Sequence, residues 1–341
     1  MSSTSLVQVP DGMKADLVLE GGGVKGIGLV GAVLELSDAG YRFPRVAGTS
    51  AGAITAALIA ALQAARQPLD HLQDYVDSVE YPKFEAEGWL RQELGRVGDA
   101  GELLLHMGLH SGDYLVEWLG GILEAIGITT FAQLKMDDPG SSLPEENRYS
   151  LIVHTADVTR HKLVRLPWDY PDYGLEPDRQ RIVDAVRASM SIPFFFEPVR
   201  VKARAATYDG VSYAAGTVTW VDGGLLSNFP VEVFDRSDGL PQRWPTIGIK
   251  LSARDTTMPP SRASDDTLQE ALSCLQTLLN NANRYYLAPD KAARTIFIDS
   301  TGITATDFDI TPQQRATLFT NGHDAAHQWL LAKKPRPSAT L

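Results

Sequence analysis

The stretch Ala15-Asp16-Leu17-Val18-Leu19-Glu20-Gly21-Gly22-Gly23-Val24-Lys25-Gly26 is a short Leu- and Val-rich run that stops at three glycines. An apolar run of this length bounded by glycine reads as a buried strand. Beyond it, Ile27, Val30, Val33, Leu34 and Leu36 recur at helical spacing, and Gly40 sits where a helix C-cap belongs. Residues 43–47 read as a second strand. The Ala-rich residues 51–65, apolar on most faces, read as a buried helix. Strand, helix, strand, helix within about sixty residues is a βαβ unit with a parallel pair, which sets the class as α/β.

Working outward, residues 67–134 read as mainly helical, with apolar rows at 103–105 and 115–126. Residues 149–155, 162–166, 217–222, 246–251 and 295–299 read as strands, and 179–190, 267–286 and 311–332 as helices. The apolar stretch 191–199 follows the first of those helices. In the 267–286 helix, Leu268, Leu272, Leu275 and Leu279 share one face, and Cys274 reads as a small buried hydrophobe. No internal repeat and no linker is apparent. The expected organisation is a disordered polar arm at 1–12 and one domain over 13–332 with a helical insertion near 67–135. A disordered tail is expected at 333–341.

The chain has 341 residues, enough for a sizeable core, and a net charge of −11. That charge argues against a nucleic-acid partner, which needs a basic face, and against general adsorption to anionic lipid. The single cysteine excludes an intramolecular disulfide and leaves a cysteine-based zinc site unsupported. Residues 1–11 carry no apolar stretch of signal-peptide length, and no run is long enough for a membrane span. The expectation is a cytoplasmic protein, peripheral at membranes if its substrate is a lipid.

Three motifs carry chemistry. The loop Gly21-Gly22-Gly23-Val24-Lys25-Gly26, between strand and helix, lets the backbone turn sharply and aim N–H groups at an anion. Its spacing formally matches a dinucleotide fingerprint. That fold wants an acid about twenty residues on, where this chain has Gly48-Thr49-Ser50. A phosphate-binding Walker loop fails because Ile27 follows Gly26. An oxyanion-stabilising loop remains. The second motif is Gly48-Thr49-Ser50-Ala51-Gly52, a G-x-S-x-G after a strand and opening a helix, the context of a nucleophile elbow. A helix N-cap serine in a small-residue turn is the competing reading. The third is Asp222-Gly223-Gly224, after a strand, which alone would pass for a hairpin turn.

In this order the three blocks resemble the patatin-like phospholipase family: a glycine loop with Arg or Lys, a G-x-S-x-G, and an Asp-Gly-Gly. Ala188-Ser189-Met190-Ser191-Ile192-Pro193, with Phe196, Pro198, Asn228 and Pro230, also resembles the family's pattern. By landmarks the resemblance covers roughly residues 15–235. It implies a three-layer α/β/α sandwich with a mainly parallel central sheet, and a Ser–Asp dyad without histidine. Ser50 would attack an ester carbonyl and Asp222 would take its proton. Backbone N–H groups of the Gly22–Lys25 loop would hold the oxyanion, and an acyl-enzyme would then be hydrolysed. No cofactor or metal is implied. The partner implied is a lipid ester at a membrane surface, with a homo-oligomer and an activating partner both open.

Other residues have competing readings. Of the seven histidines, His323 and His327 follow Ser50 and Asp222 in the order of a conventional triad, and their i, i+4 spacing also suits a metal. Lys25 either adds positive charge near the loop or pairs with a surface carboxylate. Phe194-Phe195-Phe196 and the insertion's apolar rows either line an acyl channel or are simply core, and the insertion's position also suits a lid. A transacylase on the same dyad, a catalytically idle binding module and a nicotinamide-binding protein are the rival functions.

Overall fold

A computed structural model describes residues 6–8, 12–84, 108–110, 112–208, 210–251, 287–305 and 308–333. Eight strands form the central sheet: β1 (Asp16–Leu19), β2 (Val46–Thr49), β3 (Leu151–Asp157), β4 (Lys162–Leu166), β5 (Val199–Ala203), β6 (Gly216–Asp222), β7 (Thr246–Lys250) and β8 (Thr295–Phe297). Their order is β5-β6-β3-β2-β1-β7-β8, with β4 also paired to β3. From β3 through β8 the neighbours run parallel, while β4, β5 and β6 join antiparallel. The central strands are buried on both faces, as parallel strands covered on both sides must be.

Alternation along these strands divides the core in two. Leu17, Leu19, Val46, Leu151 and Val153 face the helices α1 (Ile27–Asp38), α2 (Ala51–Ala64), α5 (Ile182–Ser189) and α7 (Pro312–Lys333). Val18, Ala47 and Ile152 face the other way, onto Phe229, Val231 and Phe234. Leu287, in the connection from β7 to β8 just ahead of the short helix α6 (Pro289–Ala293), packs against this second core. The two cores, one on each side of the sheet, make three layers.

Of residues 67–135, the described part contains α3 (His71–Asp77) and α4 (Asp113–Ile126), whose Leu115, Leu119, Leu123 and Ile126 join the main core. The segment Gly108–His110 pairs in parallel with Phe194–Phe196. Of the amino-terminal arm 1–12, residues 6–8 and 12 are described. Val7–Gln8 pairs in parallel with Met136–Asp137, and Val7 N–H donates to Lys135 O at 2.7 Å. A two-residue ladder between polar segments leaves no periodicity to read. The strand β5 was also not expected, since it begins where the apolar 191–199 stretch ends. Lys333 closes α7; residues 334–341, the disordered-tail expectation, and the 267–286 helix with Cys274 lie outside the described residues.

Candidate active site

The chain leaves β2 at Thr49, turns at Ser50 and enters α2 at Ala51. Ser50 has φ +53° and ψ −127°, a left-handed conformation uncommon outside glycine. Such a turn brings strand and helix so close that side chains do not fit around it. A Cβ on Gly48 would come within 2.2 Å of Gly52 O, and one on Gly52 within 2.4 Å of Leu19 O. The G-x-S-x-G spacing is therefore a steric requirement of this elbow.

Asp222 ends β6, and the register brings it to Ser50. Along β3, residues up to His154 pair with β2, with Thr49 opposite His154. From Thr155 onward the same edge pairs with β6, with Asp222 opposite Thr155. The other edge is occupied over Val153–Asp157 by β4, so β2 and β6 must share one edge. One runs parallel and the other antiparallel to β3, so they meet carboxyl end to carboxyl end. Thr155 Oγ1 donates to Val221 O at 2.6 Å at this junction. A Cβ on Gly223 would lie 2.5 Å from His154 O, which requires the first glycine of Asp-Gly-Gly.

Asp222 is buried, and that burial raises its carboxyl to a pKa of about 6. The Ser50 hydroxyl and the Gly224 N–H oppose the rise, because both favour the carboxylate. Gly224 N–H donates to Asp222 Oδ1 at 2.7 Å. Asp222 Oδ2 is buried and has no partner among the described residues. The Ser50 hydroxyl, although close enough to act on the carboxyl, points at Met190 Sδ, 3.6 Å away. A thioether is a weak acceptor, so rotation of that hydroxyl toward the carboxylate gives up little.

The glycine loop lies against both. A Cβ on Gly21 would be 2.9 Å from Ser50 Cβ, and Gly26 abuts Ala51. Asn228 ties the loop down: its Nδ2 donates to Gly21 O at 2.8 Å, and its carbonyl accepts from Gly21 N–H at 3.3 Å. Two of the amides expected to hold an oxyanion are already used. Val24 N–H donates to Ala305 O at 3.1 Å, and Lys25 N–H to Gly22 O at 3.2 Å. The backbone amides of Gly22 and Gly23 make no backbone hydrogen bond among the described residues. Gly23 has φ +55°, and a Cβ there would strike Ala305 O at 1.8 Å. Sequence reading had no way to find Ala305, which approaches from almost three hundred residues along the chain.

The histidines divide. His323 and His327 face Glu35 of α1: His327 Nδ1 lies 2.6 Å from Glu35 Oε1, and His323 Nε2 lies 3.1 Å from Glu35 Oε2. Neither is bonded to Ser50 or Asp222, so the conventional triad order has no counterpart in the geometry. Among the described residues no three His, Cys, Asp or Glu side chains are placed to hold a metal ion. His154 is the histidine beside the elbow. It is fully buried, burial lowers its pKa to about 4, and its Nδ1 lies 3.3 Å from Gly48 O. The ring is thus neutral at pH 7 and bonded behind the serine, not to its hydroxyl. Phe195 and Phe196 pack with Phe84 and Phe308, Phe195 stacking on Phe308 at 5.1 Å.

A mainly parallel sheet flanked by helices, with a strained serine and a buried aspartate meeting at its carboxyl edge, is the patatin fold. The chain belongs to the patatin-like phospholipase family, whose model matches residues 17–235. It is 32% identical over 310 residues to an uncharacterized protein, YqhO, of Bacillus subtilis strain 168, covering 91% of this chain and 96% of that one. Among solved structures it is similar to VipD from Legionella pneumophila, at 18% identity and a TM-score of 0.47 over 95% of this chain and 67% of that one. It is also similar to the ExoU–SpcU complex of Pseudomonas aeruginosa, at 19% identity and a TM-score of 0.43 over 93% of this chain and 51% of that one.

Proposed function

We propose that this chain is a serine lipid acyl hydrolase, a phospholipase A or carboxylesterase, working through a Ser50–Asp222 dyad and an acyl-enzyme. The observation that carries the reading is the Oδ2 of Asp222, without a partner among the described residues, buried beside Ser50 and raised in basicity. An unpaired buried carboxylate oxygen is costly, and such groups concentrate where a proton is to be accepted.

In this reading Ser50 Oγ attacks the ester carbonyl as its proton passes to Asp222 Oδ2. The amides of Gly22 and Gly23 receive the developing oxyanion, a term worth roughly 3 kcal/mol per donor. Val24 and Lys25 instead hold the loop in shape. Collapse of the tetrahedral intermediate expels the alcohol or lysolipid, which takes the proton from Asp222. Water then attacks the acyl-Ser50 with Asp222 again as base. A free aspartate of pKa near 3.9 is a poor base for a hydroxyl, and a pKa of about 6 brings it closer to working pH. Among the described residues no helix is long and apolar enough to cross a membrane, so a phospholipid would be met at the membrane surface.

The test is hydrolysis of p-nitrophenyl esters of increasing chain length. Ser50→Ala and Asp222→Asn should each lose at least about 10³-fold in kcat/KM, while the double variant His323→Ala with His327→Ala keeps wild-type activity. Because the ionised carboxylate is the base, kcat/KM should rise with pH and level off above about 6. Loss in the histidine variant with Asp222→Asn still active would overturn the dyad. A folded but inert wild type would favour an idle binding module, and ester exchange outrunning hydrolysis with added alcohol would make the enzyme a transacylase.

A further inference from the structure

We propose that Ser189 is a positioning residue of this site, whose hydroxyl holds the Ser50 backbone in the left-handed turn from which the nucleophile faces Asp222. The proposal rests on the roles given above to Ser50 and Asp222. A non-glycine residue at φ +53° persists only where its surroundings over-determine it. Ser50 N–H, at the start of α2, has no carbonyl available within its own helix. It donates instead to Ser189 Oγ at 2.8 Å, and Ser189 Oγ donates in turn to His154 O at 2.6 Å. A hydroxyl has one proton, and the His154 carbonyl can only accept, so the direction of both bonds is fixed. Ser189 is fully buried, out of reach of bulk solvent.

His154 completes the enclosure. Its carbonyl holds Ser189 while its ring reaches Gly48 O, so the elbow is gripped on both sides of Thr49. Two residues beyond Ser189, Ser191 O accepts from Asp222 N–H at 2.8 Å. The side chain of Ser191 is itself anchored, accepting from Arg187 Nη1 at 2.6 Å and donating to Arg187 O at 2.9 Å. One three-residue segment therefore fastens the backbones of both reacting residues across the gap between β2 and β6. Met190, between the two anchors, holds the resting Ser50 hydroxyl. Reaction geometry is sensitive on this scale, since a displacement of about 1 Å costs about 10²-fold in rate.

The experiment compares Ser189→Ala, Ser189→Cys and Ser189→Thr in the full chain, reading kcat, KM, melting temperature and hydrogen exchange at the Ser50 amide. Ala and Cys should lower kcat by about 10- to 100-fold with KM within about twofold, and should speed Ser50 exchange. Cys keeps the volume with a weak acceptor, so it serves if Ala fails to fold. Thr keeps the hydroxyl but crowds a buried site, so it should retain most of kcat while melting lower than Cys. Activity would then follow the hydroxyl and stability the volume, which a merely structural serine would not do. Unchanged Ser50 exchange in Ala and Cys would overturn the clamp. Faster exchange with wild-type kcat would overturn its part in the reaction. An inert wild type would overturn the hydrolase reading and with it that part, while exchange still decides the clamp.

Discussion

In the proposed dyad Asp222 is subject to opposing demands, since a base must be ionised and burial penalises the ion. Its carboxyl is raised from 3.8 to about 6, which is on the order of 3 kcal/mol. For an acid raised on folding, the stabilising contribution is complete below the unfolded pKa and lost as pH rises through the folded one. Wild type therefore carries this cost at pH 8 and sheds it toward pH 4. Asp222→Asn keeps an acceptor for Gly224 N–H without the charge. Urea unfolding should find it more stable than wild type at pH 8, by up to about 3 kcal/mol, with the gain vanishing near pH 4. A wild type that is the more stable protein at pH 8 would mean that its donors outweigh desolvation. Ser50, Asp222 and the glycine loop were legible in the sequence because each lies in a local turn with its own residue pattern. Ser189 was visible only as part of a resemblance, because its partner Ser50 is 139 positions away.

At the scale of elements, the close crossing of α1 and α7 shows how far small residues decide the packing. A Cβ on Gly322 would lie 1.9 Å from Gly28 O, and one on Gly31 would lie 2.1 Å from Phe319 O. Both obstacles are backbone, so they can yield only by moving a helix. Gly322→Ala should gain from helix propensity, by roughly 1 kcal/mol, and lose more by forcing α7 off α1. The net expected is destabilisation by about 1–3 kcal/mol, read as a lower melting temperature. A melting temperature at or above wild type would show that the crossing relaxes without cost. Helix α7 was legible as an element, but its contact was not. Its amphipathic pattern marks a buried face but not what that face meets, and glycine carries no hydrophobic signal.

For the whole molecule, the family match ends at residue 235, yet the sheet does not. Strand β7 pairs with β1 along Asp16–Leu19, and α7 covers α1. Lys250, at the end of β7, donates to the buried Glu20 immediately before the glycine loop, as does Leu251 N–H. A chain truncated after residue 240 would leave β1 as an apolar open edge and Glu20 as an unpaired buried charge. It should be recovered insoluble or without cooperative unfolding. A soluble truncated chain with a sigmoidal denaturant transition would show that residues beyond the match are dispensable to the fold.

The sequence by itself determined the strands and helices of the parallel core, the elbow at Ser50 and the order of the three motifs. Alternation, helical period and turn glycines are properties of neighbouring residues, and they act before any distant contact forms. Only the tertiary structure decided that β2 and β6 end head to head on one edge of β3. It also decided that Val24 and Lys25 spend their amides within the protein, and that His154 lies behind the serine while His323 and His327 turn to Glu35. The physical reason is that a hydrogen bond between distant positions depends on where the sheet register and helix packing deliver each group, and no local pattern encodes that delivery.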